Sequence, residues 1–410
     1  MINVIGLGYI GLPTALMFAK SNENKVVGSD YKQDLVDSLN KGQLTFEEHG
    51  LKELFETAVD NGIKFETKYV NAEVYIISVP TPYIKKTKKL DATFVINAVK
   101  EVLRICKTGT IVVIESTISP GTIDKYIRPI IKDEGYIIGK DIHIAHAPER
   151  IIPGNMIYEL TNNSRTIGVD SAVIGDKLKK IYSSFCKGEI VITDIKSAEM
   201  TKVVENTYRD INIAFANELA KICRSDGMDV YEIIRIANKH PRVNILQPGP
   251  GVGGHCISVD PWFLVGDYPD LAKIIGQART VNDSMPEYVL NRLLDIMNEN
   301  GIDDFAKVGI YGITYKENID DTRESPTLQL MDKLYETNKK MAESIIVYDP
   351  FVTDRLFKSQ VFDFLKFIED VDLLLIMVNH KEIISNMSKI KDKIIFDTKN
   401  CCDLEKAYKL

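Results

Sequence analysis

The chain has 410 residues, of which 45% are hydrophobic and 27% are charged, as is typical of a globular protein with two or three domains. Its formal net charge is −7 at pH 7, which argues against a nucleic-acid partner because such a partner needs a clustered basic surface. The six cysteines form no C-x-x-C pair, so we expect neither a disulfide framework nor a metal site, in a reduced, cytoplasmic setting. The strand-like start at Ile2 leaves no room for a signal peptide, and no apolar run approaches the roughly 20 residues of a membrane span.

The chain opens with a dinucleotide-binding signature. The apolar run 2–5 predicts a strand, Gly6-x-Gly8-x-x-Gly11 follows it, and helical spacing of apolar residues comes next. In this context the first glycine makes the turn, the second admits a pyrophosphate to the helix N-terminus, and the third lets helix and strand pack closely. A second predicted strand ends at Asp30, whose carboxylate would accept from the adenosine ribose and repel a 2′-phosphate. The pattern therefore favours NAD over NADP.

Further strands are predicted at residues 74–79, 110–114 and 142–145, with helical segments between them. This alternation predicts a doubly wound parallel sheet, in which ligands lie beyond the carboxyl ends of the strands. Those ends read Pro80-Thr81-Pro82, Glu115-Ser116-Thr117 and Pro148-Glu149-Arg150. Prolines and hydroxyl residues are common in turns, whereas the Glu149 carboxylate could act as a general base once desolvated. We assign residues 1–193 to an NAD-binding Rossmann domain.

A long helix is predicted next, because apolar residues keep helical spacing from Ser197 to Cys223. We expect such a helix to span a domain junction and to form a dimer interface. Lys202, Asn206 and Arg209 lie on one stripe of it. Two interpretations of this stripe remain open: a solvated flank with weak ion pairs to neighbouring glutamates, or an ammonium and an amide that stabilise a developing oxyanion.

Residues 248–254 contain four glycines and two prolines, so we predict a loop there. The loop delivers the Cys256 thiol and then the Asp260 carboxylate. The alternative is a surface turn followed by a buried structural cysteine, since cysteine is often buried. We place the loop in a central helical domain, residues 194–300, that supplies dimerisation and active-site elements.

Strand patterns return near residues 307–313, 344–348, 373–378 and 393–396. They predict a C-terminal Rossmann-like α/β domain over residues 301–410 that lacks the full dinucleotide signature and could bind a different nucleotide. A helix is predicted to start at Ser325-Pro326. Lys316 and Arg323 lie where a phosphate would meet the first strand, although charged loop residues are often merely solvated.

In this order, the motifs resemble the UDP-glucose/GDP-mannose dehydrogenase family over essentially the whole chain. The motifs that carry the resemblance are Gly6-x-Gly8-x-x-Gly11 with Asp30, Val79-Pro80-Thr81-Pro82, Glu115-Ser116-Thr117, Pro148-Glu149, Lys202-x-x-x-Asn206, Gly253-Gly254-x-Cys256-x-x-x-Asp260, and Lys316 followed by Asp321-x-Arg323-x-Ser325-Pro326. The segments 240–246 and 260–263 resemble the branch of the family that oxidises UDP-N-acetyl-D-mannosamine.

The resemblance implies a four-electron, NAD-dependent oxidation of a sugar C6 alcohol to a carboxylate. A water near Asp260 and Lys202 would take the hydroxyl proton, and Cys256 would form a thiohemiacetal and then a thioester that water hydrolyses. Glu149 is implied as the base for that hydrolysis. Catalytic roles are implied for Cys256, Lys202, Asp260, Asn206, Glu149 and Thr117; cofactor contacts for Gly6, Gly8, Tyr9, Ile10, Gly11, Asp30, Pro80, Thr81, Thr117 and Arg323; and substrate contacts for Glu149, Arg150, Lys202, Asn206, Arg242, Asn244, Gly253 and Lys316.

One departure from the family concerns the sugar. The UDP-glucose enzymes usually carry a second glutamate four residues after the first, where this chain has Pro153, so that assignment is weakened. UDP-N-acetylglucosamine and UDP-glucose remain alternative substrates, because one changed hydroxyl or acetamido contact alters binding by only a few kcal/mol. Two other classes remain: a two-electron hydroxyacid dehydrogenase, which needs no cysteine, and a nonenzymatic nucleotide sensor.

Overall fold

The computed structural model describes residues 1–21, 23, 25–254, 256–404 and 406–410. The chain divides into two compact units, the N-terminal unit Met1–Glu205 and the C-terminal unit Asn206–Leu410. The predicted boundaries at residues 193 and 300 remain a prediction.

The N-terminal unit alternates strands and helices. Its strands are β1 (Ile2–Ile5), β2 (Val26–Ser29), β3 (Lys64–Glu66), β4 (Val74–Ile77), β5 (Tyr83–Ile84), β6 (Lys89–Leu90), β7 (Thr110–Ile114), β8 (Ile142–His146), β9 (Arg165–Val169) and β10 (Ile190–Thr193). Its helices are α1 (Gly11–Lys20), α2 (Gln33–Asn40), α3 (Leu51–Asp60), α4 (Thr93–Ile105), a π-helical turn (Ile123–Ile127), α5 (Arg128–Asp133), α6 (Met156–Asn162) and α7 (Ala172–Tyr182).

Eight of these strands form one sheet, in the order β10-β9-β8-β7-β4-β1-β2-β3. From β3 to β8 neighbouring strands are parallel, and β1 and β4 are buried along their whole length because helices cover both faces. The predicted parallel α/β layout is confirmed. The sheet continues beyond it, because β9 pairs antiparallel with β8 and parallel with β10. This extension was not predicted.

The helix α8 (Ile195–Ser225) has 31 residues and continues from the N-terminal unit into the C-terminal unit. The predicted long helix is therefore confirmed, with two more residues at each end. None of the described helices is both long and apolar enough to cross a membrane.

The C-terminal unit contains the remaining helices and a second sheet. Its further helices are α9 (Val230–Ala237), α10 (Asp260–Asp267), α11 (Lys273–Asp283), α12 (Met285–Glu299), a 3-10 turn (Phe305–Lys307), α13 (Pro326–Thr337), α14 (Lys339–Ser344), α15 (Phe364–Asp370), α16 (Lys381–Ser385) and α17 (Met387–Ile390). Its strands are β11 (Val308–Tyr311), β12 (Ile346–Tyr348), β13 (Leu373–Ile376), β14 (Ile394–Asp397) and β15 (Tyr408–Lys409).

The second sheet is parallel throughout, in the order β12-β11-β13-β14-β15. Its Rossmann-like layout confirms the predicted C-terminal α/β fold. Val289 and Leu293 of α12 share one hydrophobic core with Val308 and Ile310 of β11. The central helices and the C-terminal sheet are thus held together by burial of a common apolar surface.

Candidate active site

The glycine turn after β1 has the geometry of a dinucleotide site. Gly6 has a φ of +89°, and a Cβ there would lie 2.6 Å from the carbonyl oxygen of Ser78. A Cβ on Gly11 would lie 1.8 Å from the carbonyl oxygen of Gly6, whereas a Cβ on Gly8 would meet nothing within 4 Å. The fold itself therefore requires the first and third glycines. The second keeps clear the space through which a pyrophosphate would approach the backbone.

Asp30 follows β2 and lies against this turn. It is buried, and its carboxylate accepts hydrogen bonds from the backbone N–H groups of Leu7, at 2.9 Å, and Lys32, at 3.0 Å. A carboxylate has about four lone-pair directions, so Asp30 retains capacity to accept from a ribose. Tyr9, inside the turn, stacks on Phe46 with ring centroids 4.4 Å apart. These contacts fit an NAD-type cofactor in the N-terminal unit.

The predicted strand-end residues lie at one edge of the first sheet. The Ser116 hydroxyl donates to the carbonyl oxygen of Val79 at 2.7 Å, which ties the segment after β7 to the segment after β4. Beside this link Thr81 is buried, Thr117 is half-buried and Pro80 is exposed. Because parallel strands end at the same edge, these residues and the glycine turn share the ligand-binding side of the sheet.

Glu149 and Arg150 follow β8 and are both held by polar contacts. Glu149 is buried and forms an ion pair with Arg165 of β9. Arg150 forms an ion pair with Glu205 of α8 at 2.9 Å and donates to Thr166 at 2.8 Å. Arg150 is thus held by contacts with α8 and β9, and Glu149 belongs to a buried charged network that includes Arg165.

The stripe on α8 is mostly buried. Lys202 is 6% exposed and Asn206 is 5% exposed, whereas Arg209 is exposed. The two glutamates expected to pair with Lys202 have other partners, since Glu199 accepts from backbone N–H groups and Glu205 pairs with Arg150. The solvated-flank interpretation is therefore wrong for Lys202 and Asn206. An ammonium and an amide are held out of water one helical turn apart.

Asn206 contacts Asp260, which follows the cysteine loop in the C-terminal unit. Its side-chain amide donates to Asp260 Oδ2 at 2.6 Å, and Asp260, the first residue of α10, is 3% exposed. Cys256 accepts at its carbonyl oxygen from the Asp260 N–H at 2.8 Å. The Cys256 side chain is exposed, so the buried-cysteine alternative is wrong. The neighbouring His255 lies outside the described residues.

Three asparagines, which the sequence patterns did not single out, fasten the chain before this loop. Asn212 of α8 accepts from the N–H of Leu246 at 2.9 Å and donates to the carbonyl oxygen of Asn244 at 2.8 Å. Asn217 of α8 accepts from the N–H of Gly249 at 2.9 Å. Asn238, at the end of α9, bonds both backbone groups of Ile245. These bonds satisfy the polar backbone of an irregular segment and fix its path.

The glycines before Cys256 allow the loop to pack against the segment after β11. A Cβ on Gly253 would lie 2.7 Å from the carbonyl oxygen of Glu324, and one on Gly254 would lie 2.8 Å from the Tyr315 ring. The Gly254 N–H also donates to the carbonyl oxygen of Arg323 at 2.9 Å. The structure thus brings Gly253, Cys256 and Arg323 into one neighbourhood.

The remaining predicted ligand contacts differ in their surroundings. The Arg323 guanidinium pairs with Asp321 at 2.6 Å, and Lys316 is half-buried. Arg242 and Asn244 are exposed. The described contacts do not join these two to the Asn206–Asp260 pair, and their assignment as ligand contacts remains a prediction.

A polar concavity in the C-terminal unit was not predicted. It is lined by Asp229, Tyr231, Glu232, Arg235, Gln247, Lys399 and Asn400. Burial lowers the pKa of Lys399, and the Tyr231 hydroxyl is buried with no hydrogen-bond partner among the described residues. Lys399 Nζ would lie 3.7 Å from a Cβ on Gly249. The Lys399 side chain therefore lies beside the glycine-rich loop.

One group of described residues offers three metal-ligand atoms, on Asp397, Cys401 and Cys402. The Lys409 ammonium lies 2.8 Å from Asp397 Oδ2 and supplies a positive charge there. Hydrogen bonding to Cys402, together with burial, raises the pKa of the Cys401 thiol. We therefore assign no metal to this group.

Glu199 of α8 provides a prediction about pH. It accepts from the N–H groups of Gly121, at 2.5 Å, and Ile123, at 3.0 Å, and burial raises its pKa from 4.5 to about 7. Because the pKa of Glu199 is higher in the folded protein than in the unfolded chain, the protonated Glu199 stabilises the fold. This contribution is complete below about pH 4.5 and is lost as the pH rises towards 7. We expect the free energy of unfolding of a Glu199→Gln variant to fall less steeply between pH 5 and 7 than that of the wild type, by up to about 1.4 kcal/mol per pH unit. Urea unfolding at several pH values would measure this, and an unchanged slope would contradict it.

Comparison with known families decides the affiliation. Three models of the UDP-glucose/GDP-mannose dehydrogenase family match consecutive parts of the chain: the NAD binding domain at residues 1–186, the central domain at 196–284 and the UDP binding domain at 309–404. The chain belongs to the UDP-glucose/GDP-mannose dehydrogenase family. The predicted family is therefore confirmed, the cofactor is NAD, and the protein is an NAD-dependent UDP-sugar dehydrogenase with a Rossmann NAD-binding domain, a central helical domain and a C-terminal UDP-binding domain.

Several similar proteins are named for the same sugar nucleotide. The UDP-N-acetyl-D-mannosamine dehydrogenase of Methanocaldococcus jannaschii is 43% identical over 98% of this chain and 93% of its own. The UDP-N-acetyl-mannosamine dehydrogenase of Staphylococcus aureus is 40% identical, with a TM-score of 0.88 over 100% of this chain and 97% of that one. The UDP-D-ManNAc dehydrogenase of Pyrococcus horikoshii is 35% identical, with a TM-score of 0.90 over 100% and 98% of the two chains.

Proposed function

We propose that this protein oxidises the C6 alcohol of UDP-N-acetyl-D-mannosamine to the carboxylate of UDP-N-acetyl-D-mannosaminuronate, in two NAD-dependent steps without release of the aldehyde. The names of several similar proteins support this sugar. The observation that carries the chemistry is the exposed Cys256 thiol, four residues before a buried Asp260 carboxylate that is bonded to the Asn206 amide at 2.6 Å. A dehydrogenase that stops at the carbonyl stage needs no such nucleophile.

The first step removes a proton and a hydride from the C6 alcohol. NAD, when bound, accepts the hydride. We assign the alcohol proton to a water molecule held by Asp260 and Lys202. Lys202 and Asn206, both buried on α8, then stabilise the alkoxide that develops, because donors kept out of water act strongly on forming charge. Thr117 is also assigned to orient this oxygen.

The second step requires the thiol. An aldehyde has no hydride to give in a favourable form until a nucleophile makes its carbon tetrahedral, and cysteine is the most nucleophilic side chain near neutral pH. Cys256 therefore adds to C6 to form a thiohemiacetal, whose oxidation gives a thioester. A lysine near the sulfur would favour the thiolate. Water then attacks the thioester carbonyl, Glu149 takes a proton from that water, and the Cys256 thiolate leaves.

We assign binding of the nucleotide sugar to the following polar groups. Glu149, Arg150, Lys202, Asn206 and Gly253 are assigned to the sugar end, and Arg242, Asn244 and Lys316 to the nucleotide. Arg323 is assigned to NAD, together with Gly6, Gly8, Tyr9, Ile10, Gly11, Asp30, Pro80, Thr81 and Thr117. Lys399 and Gln247, which line the polar concavity, are further candidates for the UDP moiety, because an ammonium suits a phosphate. We keep the three-domain division at residues 193 and 300 as part of this proposal.

We also propose that the protein is a homodimer, or a higher oligomer, formed through α8. Tyr208, Phe215 and Ile222 are exposed large side chains on this helix and recur every seven residues. Exposed apolar side chains at heptad spacing favour helix–helix association. A cytoplasmic location suits the proposed chemistry, because a catalytic thiol must stay reduced.

The yield of NADH per sugar nucleotide tests the function. With limiting UDP-N-acetyl-D-mannosamine and excess NAD, we expect two NADH per sugar, and little NADH from UDP-N-acetylglucosamine or UDP-glucose in parallel reactions. One NADH per sugar would mean a simple alcohol oxidation without the thiol. A preference for either of the other two sugars would overturn the substrate, and no NADH from any of them would revive a nonenzymatic nucleotide sensor.

A further inference from the structure

Arg165, the first residue of β9, lies between two buried carboxylates of the N-terminal unit. Its side chain is 4% exposed, and the side chains of Glu115 and Glu149 are 0% and 7% exposed. One guanidinium nitrogen lies 3.2 Å from Glu115 Oε1, and the other forms a closer contact with Glu149 Oε2. A buried charge needs a paired partner, and here one cation is placed between two anions.

The guanidinium is held in place from several sides. It lies over the Tyr182 ring, 4.5 Å from its centroid, and 5.8 Å from the centroid of Phe185. Glu115 is itself anchored, because the Ser78 hydroxyl donates to it at 2.7 Å and the Tyr182 hydroxyl donates at 3.3 Å. A planar guanidinium fixed by stacking and by two carboxylates has little freedom to turn.

Glu115 and Glu149 do not interact equally with the Arg165 guanidinium. Burial raises the pKa of Glu115 from 4.5 to about 7, against the opposing effect of Arg165. Protonation of Glu115 would weaken its pairing with Arg165. The closer of the two ion pairs is also the one with Glu149. Geometry and charge thus agree that Arg165 serves Glu149.

Both oxygens of Glu149 are held. Oε2 takes the contact from Arg165, and Oε1 accepts from the backbone N–H of Arg150 at 2.6 Å. We propose that Arg165 is a positioning residue, which holds the Glu149 carboxylate in the orientation needed for hydrolysis of the Cys256 thioester. This proposal rests on the function proposed above, in which Glu149 is the base.

The step on which Arg165 acts is not a redox step. The water oxygen forms a bond to the thioester carbon, one water proton passes to Glu149, and the carbon–sulfur bond breaks with its electron pair leaving on Cys256. A base can take that proton only when it is ionised and aimed at the water. Misplacing such a group by about 1 Å can cost about 10²-fold in rate. The two preceding hydride transfers do not need Glu149 as a base and are expected to continue.

An Arg165→Met variant tests the proposal with UDP-N-acetyl-D-mannosamine and excess NAD. We expect a fast burst of two NADH per active site followed by a steady rate reduced about 10- to 100-fold. Intact-protein mass spectrometry after acid quenching should detect the uronyl thioester on Cys256 during the slow phase. Glu149→Gln should give the same burst and adduct. Arg165→Lys, which keeps a buried cation, should restore part of the steady rate and accumulate less adduct.

A matched control is Arg128→Met, because Arg128 also pairs with carboxylates of the same unit, at 2.7 Å from Asp124 and 2.7 Å from Asp170. We expect no burst and no adduct from this control. If Arg165→Met does not fold, Arg165→Lys alone tests the proposal. A wild-type steady rate of the Arg165→Lys variant, without a thioester adduct, would overturn the proposal. Slowing of the burst itself, in either Arg165 variant, would also overturn it. Failure of the wild-type protein to produce NADH would count against the proposed function instead.

Discussion

Replacing Cys256 by alanine is expected to abolish formation of the sugar acid, with a loss of at least about 10⁴-fold, as for removal of a covalent nucleophile. Without the thiol no thiohemiacetal forms, so the second hydride transfer lacks a tetrahedral donor. The first oxidation uses other groups and can still produce up to one NADH per sugar. Mass spectrometry of the sugar product and NADH absorbance, both with limiting UDP-N-acetyl-D-mannosamine, would measure the two outcomes separately.

Cys106→Ala is the matched control for this experiment. Cys106 lies at the end of α4 in the N-terminal unit, is half-buried, and its thiol points to the carbonyl oxygen of Leu103 at 3.8 Å. We expect this variant to form the acid at the wild-type rate. Complete four-electron oxidation by Cys256→Ala would refute the thioester route and would leave the exposed thiol without a chemical role.

The sequence predicted best those features that depend on local residues. The turn after β1 is encoded by three glycines within six residues, and the structure explains two of them by contacts with neighbouring backbone atoms. The start of α13 is similar, since the Ser325 hydroxyl caps the helix by accepting from the N–H of Thr327 at 3.1 Å. Short-range patterns of this kind determine conformation almost independently of the rest of the fold.

Features that depend on distant partners were not predicted. Arg165 belongs to no motif, and its two ion pairs become visible only when β9 brings it between Glu115 and Glu149. The asparagine contacts of α8 have the same character, since Asn217 and Gly249 are 32 positions apart in the chain. The antiparallel pairing of the end of β9 with β8 also depends on residues that are distant in the chain. Hydrophobic spacing reports which face is buried, but it does not report which polar groups meet.

The burial of Lys202 shows the same limit and leads to the second large effect. Helical spacing placed Lys202 beside the apolar face of α8, and a solvated position was the simpler interpretation. The structure instead leaves it 6% exposed. An ammonium kept from water acts strongly on a developing oxyanion, because little solvent screens it. We therefore expect Lys202→Met, which retains most of the side-chain volume, to lower kcat by about 10²- to 10³-fold, the loss typical for one such donor.

Steady-state NADH formation with UDP-N-acetyl-D-mannosamine would measure this effect, and kcat is expected to fall by a larger factor than KM changes because the charge that Lys202 stabilises exists mainly in the transition state. Lys221→Met is the matched control, since Lys221 lies on the same helix, is half-buried and donates to the Ser284 hydroxyl at 2.8 Å. We expect the control to stay within twofold of the wild-type protein. A Lys202→Met enzyme within tenfold of wild type would remove Lys202 from the catalytic set, and the oxyanion would then have to depend on Asn206 and Thr117.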